Sequence, residues 1–434
     1  MKALSCIVLL TVALAASAQS PVREIRATGE YTQVRNDTPD AAKQLAQVAA
    51  EHKAIDQATD YLGDLPEVEA LQLSNVQMNA YAAAALEPTL QSVRTSVVAG
   101  RTVYQADVLL KLDAVAVRRF TILQRDRDAT SELIRLGKET AQLRQELETQ
   151  TSLETLTRLH IKQLTARVTA ALAKTDESPN SRRVSSTEGR DRAKAFADEA
   201  VAAGPNSPDA HYAMGDVLME TGKYDAADAE YRKALAETKE YWPGHLRLAN
   251  ALRLEAKFPE ALAEFREALR IDPNIPQTHA DLGLTLNTQG NAADAIVEFR
   301  EAIRLDPDSI DGHNNLAVVL ASQRRIPAAV DEFKEIIRID PELALGHYNA
   351  AIALADMERD AESAAELREV IRINPSHYNA HYNLGELFRL EGKYDDAARQ
   401  FREYLRLAPD NTPAAQRNRQ RAKTLIENYE GKQQ

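Results

Sequence analysis

The chain has 434 residues, 44% of them hydrophobic and 27% charged, with a formal net charge of −12. That is the composition of folded, water-exposed domains, and the length suits two or three of them. The acidic excess falls almost wholly after Thr187, so that half of the chain repels phosphate backbones and nucleic acid is excluded as a partner. Residues 1–18 read as a secretory signal: Lys2, an apolar run from Ile7 to Ala15, then Ala16-Ser17-Ala18 as the cleavage site. The run is shorter than the roughly 18 apolar residues a membrane span needs, and no later segment is read as a span. An exported protein, periplasmic or extracellular, is expected. The single cysteine, Cys6, lies inside this leader, which leaves the mature chain without disulfides, thiolate catalysis or cysteine-bound metal.

Residues 22–113 predict a small α+β domain. Ile25–Val34 is strand-like, Pro39–Tyr61 and Val68–Leu86 have helical spacing, and Ser92–Val98 and Thr102–Leu112 alternate about Ala99-Gly100-Arg101 as a hairpin. This order loosely resembles the N-terminal domains of some bacterial envelope and flagellar-assembly proteins. Asn36-Asp37-Thr38 is a glycosylation sequon without meaning in a bacterial periplasm. Residues 114–174 form a charged helical segment whose stripe of Leu133, Leu136, Leu143, Leu147, Leu153, Leu156 and Leu164 needs a partner. That partner is either a second copy, giving a coiled-coil homodimer, or the segment's own second half folded back. Residues 175–188 read as a linker.

From there the chain repeats. His211, His245, His279, His313, His347 and His381 recur with one period, and small residues follow each by four: Gly215, Ala249, Gly283, Ala317, Ala351 and Gly385. Ala227, Ala261, Ala295, Ala329, Ser363 and Ala397 keep the same register, as do Tyr231, Phe265, Phe299, Phe333, Leu367 and Phe401. Proline closes five units, at Pro273, Pro307, Pro341, Pro375 and Pro409, and Lys239 stands at the end of the first. A period of about 34 residues with these positions resembles the tetratricopeptide repeat family, whose units are helix-turn-helix pairs stacked into a superhelix. The implied array covers 189–411: a half repeat carrying Ala193, Ala197 and Ala200, then full repeats at 208–241, 242–275, 276–309, 310–343, 344–377 and 378–411. A capping helix is expected over 412–430. Arg324 and Glu358 stand where Gly222, Gly290 and Gly392 mark other turns, so less regular turns are expected there. The predicted fold is mostly α.

No catalytic elbow, phosphate loop, zinc-protease helix or dinucleotide fingerprint is present, and a non-catalytic protein without cofactor or metal is expected. The histidine column invites a metal reading, but packed helices lie about 8–10 Å apart, too far for successive rings to share one ion whose ligands each sit about 2 Å away. The column is read as packing. His377 falls in the turn before its helix, which separates it from His381.

The family resemblance implies a concave channel lined by first helices and gripping extended peptides. The lysine-rich carboxylate clamp of some members is absent, since its positions hold Leu246, Asn250, Asp281, Asp311 and Asn315. Asn315, Asn349 and Asn383 instead resemble part of the asparagine ladder in the repeat domain of O-linked N-acetylglucosamine transferase, and would hold a peptide backbone. Tyr348, Tyr382, Asn314, Leu284, Val318 and Ile352 complete the candidate surface. The function expected is an exported adaptor or scaffold binding a protein or peptide partner. The alternative is a structural component of an envelope or secretion assembly with no peptide ligand.

Overall fold

Alternating apolar and polar residues along Arg23–Thr32 (β1), Thr89–Val98 (β2) and Arg101–Leu112 (β3) build an antiparallel sheet in the order β1-β3-β2. The computed structural model describes residues 23–33, 38–112, 117, 120, 123, 127–149, 153–173, 187–409 and 413–430. The expected leader, the sequon asparagine and most of the expected linker lie outside them. Ala99 and Gly100, both at positive φ, make the two-residue turn between β2 and β3, the backbone that matches the twist of a hairpin.

Ile25 and Ala27 of β1 and Tyr104, Ala106, Val108, Leu110 and Leu112 of β3 are buried on one face, which the helix Pro39–Gly63 (α1) covers. Alanine lets it come close: Ala42, Ala46, Ala50, Ala54 and Ala58 are wholly buried, and a Cβ on Gly29 would lie 2.2 Å from the Ala50 nitrogen. The expected second helix divides into Pro66–Glu69 (α2) and Asn75–Ala85 (α3). Ser74 and Gln77 form a capping box that starts α3 afresh.

Arg127–Thr149 (α4) and Leu153–Leu172 (α5) pack against each other. Leu133 and Leu136 enter the core beneath the sheet, Leu143 meets Leu45, Val48 and Leu159, and Leu164 packs with Ile161 and Ala200. Leu133, Leu136, Leu143 and Leu164 are therefore buried within their own unit, as expected of a segment folded back on itself, and a coiled-coil homodimer through 114–174 is not shown. Leu147, Leu153 and Leu156 fall among side chains outside the description.

Thr187–Ala203 (α6) supplies the half repeat, with Ala193, Ala197 and Ala200 buried, and Pro208–Glu220 (α7) and Tyr224–Glu237 (α8) form the first full pair. The chain divides into two compact units after Glu237, so this pair belongs to the first. The second unit holds five pairs: Trp242–Leu254 (α9) with Phe258–Ile271 (α10), Pro276–Thr288 (α11) with Ala292–Leu305 (α12), Ile310–Ser322 (α13) with Ile326–Ile339 (α14), Ala344–Ala355 (α15) with Asp360–Ile373 (α16), and Tyr378–Leu390 (α17) with Tyr394–Leu407 (α18). Pro413–Glu430 (α19) packs on α18; Ala422, Ile426 and Tyr429 close the apolar end of the stack.

The glycine-lacking turns are as regular as the others. Ala256, Arg324 and Glu358 take the left-handed backbone of Gly222, Gly290 and Gly392. The bond that closes a helix end recurs in all of them, from Arg325 N–H to Leu320 O as from Asn291 N–H to Leu286 O.

Candidate functional site

In the second unit the first helices of successive repeats touch one another, α9 with α11 and α11 with α13, forming one layer of the stack. On that layer Leu284, Val318 and Ile352 stand one repeat apart. Leu284 is half-buried, whereas Val318 is 50% and Ile352 38% exposed. The amides beside them are partly engaged with each other. Asn349 donates to Asn314 Oδ1 at 3.0 Å and Asn383 to the Tyr348 hydroxyl at 3.3 Å. Both bonds step back one repeat and tie neighbouring first helices together. Asn315 is half-buried beside Asn314. The Tyr348 ring lies 4.7 Å from that of His377, and Tyr382 packs on Tyr404 at 5.0 Å and Phe401 at 5.7 Å. Burial raises the pKa of both tyrosines, so each keeps its hydroxyl proton.

Acidic groups of this surface already have partners within the protein. Asp281 accepts from Asn250 at 2.9 Å and Gln277 at 3.1 Å, and Glu386 meets Arg389 at 2.9 Å and Arg421 of the capping helix at 3.1 Å. The middle therefore offers apolar area and amide oxygens more than charge.

The histidine column does more than fill space. In five repeats Nδ1 sits 2.6–2.7 Å from a glutamate nineteen residues on, pairing His211, His245, His279, His313 and His347 with Glu230, Glu264, Glu298, Glu332 and Glu366. In the last, His381 meets Gln400 at 2.8 Å. Every Nε2 faces the carbonyl oxygen six residues back, at Pro205, Lys239, Pro273, Pro307, Pro341 and Pro375. With an acceptor at each nitrogen, the imidazolium makes both bonds and the neutral ring only one. The Glu264 and Glu332 bonds hold His245 and His313 above the usual histidine range. At His279 burial pulls downward, and the bonds to Glu298 and the Pro273 carbonyl outweigh it. His377 behaves oppositely: its Nδ1 caps α17 by accepting from Ala380 N–H at 3.2 Å, and burial lowers its pKa. Among the described residues no three His, Cys, Asp or Glu side chains converge on a metal-sized point.

Family models match this geometry: one described as tetratricopeptide repeat covers residues 187–241, 212–276 and 348–412, and one described as TPR repeat covers 285–324. The array is built of tetratricopeptide repeats. Similar solved structures include MamA, at 23% identity over 37% of this chain and 93% of that one, with a TM-score of 0.35. YrrB, described as a TPR protein with an unusual peptide-binding site, is 21% identical over 42% of this chain and 95% of that one, with a TM-score of 0.36. The C-terminal part of a TPR repeat-containing protein from Cytophaga hutchinsonii is 16% identical over 52% of this chain and 93% of that one, with a TM-score of 0.45. No curated protein matches the chain.

Within these tetratricopeptide repeats the sequence pattern missed the partners of the histidines. The signal was there, since Glu230, Glu264, Glu298, Glu332 and Glu366 keep the histidine period. It was hidden because the partner sits on the other helix of the pair. A second series was missed for the same reason. Arg338 bridges Glu335 on its own helix and Asp308 in the loop that enters its repeat, and Arg372 repeats this with Glu369 and Glu342.

Proposed function

We propose that the protein is an exported, non-catalytic adaptor that holds an extended peptide segment of a partner along the inner face of the second unit. Tetratricopeptide repeats generally mediate protein–protein interactions, and the observation that carries this reading is the line of Leu284, Val318 and Ile352 on the layer of first helices, two of them exposed. Packed helices repeat about every 8–10 Å, which matches three residues of extended chain at about 3.1–3.3 Å each. The ligand expected is therefore a segment with an apolar side chain at every third position. Asn349 and Asn383 each commit one side-chain N–H to the preceding repeat, and Oδ1 is left as an acceptor for peptide N–H groups. Glu386 is paired with Arg389 and Arg421, so a strongly basic ligand is not required at that end. The leader-like residues 1–18 support export, and among the described residues no helix is long and apolar enough to cross a membrane.

Selection of random peptides on the immobilised full chain, followed by anisotropy titration, tests this. Enriched sequences should carry apolar residues in threes. Replacing Asn315, Asn349 and Asn383 together by alanine should weaken binding by a few kcal/mol, at roughly 1 kcal/mol per lost bond, and should also lower the melting midpoint modestly through loss of the Asn349–Asn314 and Asn383–Tyr348 bonds, with the cooperative transition kept. Failure to enrich any peptide, or equal affinity in the triple variant, would turn the reading toward a structural component of an assembly.

A further inference from the structure

Among the described residues, strand β2 is open on the side away from β3. Every residue in it except Val93 is exposed, including Leu90 at 39%, Val97 at 71% and Val98 at 58%. Its register places Leu90 and Val93 beside Val108 and Ala106, on the buried face of β3. Helix α1 lies across β1 and β3 and scarcely reaches β2, so the apolar face of the sheet runs on past the helix that covers it. The strand has no proline, lysine or acid, devices that stop edges from pairing, and its one irregularity, between Leu90 and Ser92, lies outside the stretch 92–98. Its one charge, Arg94, is engaged by Asp107 at 2.8 Å. The β1 edge is treated differently, because Lys53 donates to the Thr28 carbonyl oxygen at 3.1 Å.

The direction of the backbone groups follows from the register. Thr102 O accepts from Gln33 N–H on the β1 side at 2.9 Å, so Val97 and Thr102, which face each other, do not bond to one another. Bonding alternates along an antiparallel pair, and Val93, Thr95 and Val97 therefore turn N–H and C=O to the open edge. A second β2, run antiparallel about a two-fold axis at Thr95, sets Thr95 against its own mate and Val93 against the mate's Val97. Outward donors then meet outward acceptors at each of these positions. Arg94 faces Ser96, Ser92 faces Val98, and no like charges meet.

We propose that the protein self-associates through β2, by two-fold antiparallel pairing centred on Thr95 that joins two sheets into one. A strand from another protein could use the same backbone groups, but the strand sequence matches itself in parity, apolar contacts and charge, and a two-fold contact closes on itself.

Sedimentation of the full chain at micromolar concentrations tests this with two substitutions. Thr95→Pro removes an N–H that points away from β3 and leaves the internal ladder intact, while Val97→Lys places a charge where the side chain is already exposed. A dimer is expected at tens of micromolar, by the arithmetic of a few paired strand bonds. Each variant should raise its dissociation constant about tenfold or more, with an unchanged melting midpoint. Val97→Thr should keep the dimer. A wild-type protein monomeric at about 100 µM overturns the proposal, as does a dimer indifferent to both Thr95→Pro and Val97→Lys, or a monomer whose β2 edge is occupied only by another protein's strand.

Discussion

His313 shows how one side chain carries several terms at once. The residue is 5% exposed, so truncation to alanine loses buried area and leaves Glu332 and the Pro307 carbonyl without their partner. His313→Ala should destabilise the second unit by about 1–3 kcal/mol, read from denaturant midpoints. The sign of the pH dependence follows from the raised pKa values of His245, His279 and His313. A raised folded pKa contributes stability that is complete below the unfolded histidine value of about 6.5 and is lost as pH rises through the folded value. Melting should therefore fall between mildly acidic and alkaline buffer, with the lowered pKa of His377 working against the trend. Glu332→Gln should flatten the dependence, and a slope unchanged by that substitution would show that these rings do not titrate with folding. The positions of the rings could be read from the sequence, because periodicity reports which residues recur. Their protonation could not, because it depends on groups nineteen residues away on another helix.

At the level of the element, turns show where a residue code and a backbone code part. Glycine at Gly222, Gly290 and Gly392 announces a left-handed turn, and its absence at Arg324 and Glu358 led to an expectation of irregularity. The closing bonds and packing of the helix pair impose the same backbone regardless. The strain remains, at about 1–2 kcal/mol for a left-handed residue with a Cβ. Arg324→Gly and Glu358→Gly should each stabilise by roughly 0.5–1 kcal/mol, since glycine's greater unfolded-state freedom offsets part of the relief. A lower melting midpoint in both variants would show that the side chains at these turns contribute more than the strain costs. The leucine stripe teaches a related point. Spacing showed that it had to be buried and left open against what; the contacts of Leu133 and Leu136 with the sheet core involve residues far away in sequence. Close approach is clearer: a Cβ on Gly283 would lie 2.9 Å from the Phe299 ring, a pairing of small and aromatic residues that the repeat pattern displays directly.

Across the whole molecule, each compact unit has its own apolar core, and the division after Glu237 falls just before Lys239, where the first repeat has no closing proline. A chain cut to residues 238–434 keeps five helix pairs and the capping helix, and should melt as a cooperative helical protein by circular dichroism. A non-cooperative loss of signal would mean that this unit depends on the first. The repeats were legible because each unit restates the same pattern. The β2 edge was not, since alternation identifies a strand but not which of its sides remains unpaired.

The histidine bonds also set a rule for chain length. Each ring grips one carbonyl upstream, across the loop that enters its repeat, and one side chain downstream, across the turn between its two helices. Both loops of a unit are thus bracketed by a fixed pair of contacts. A residue inserted in either would pull at one of these grips, so the contacts tie the fold to the length of its loops more closely than to their composition: the left-handed turn accepts Arg324 in place of a glycine, while the six histidines of this chain keep one spacing throughout.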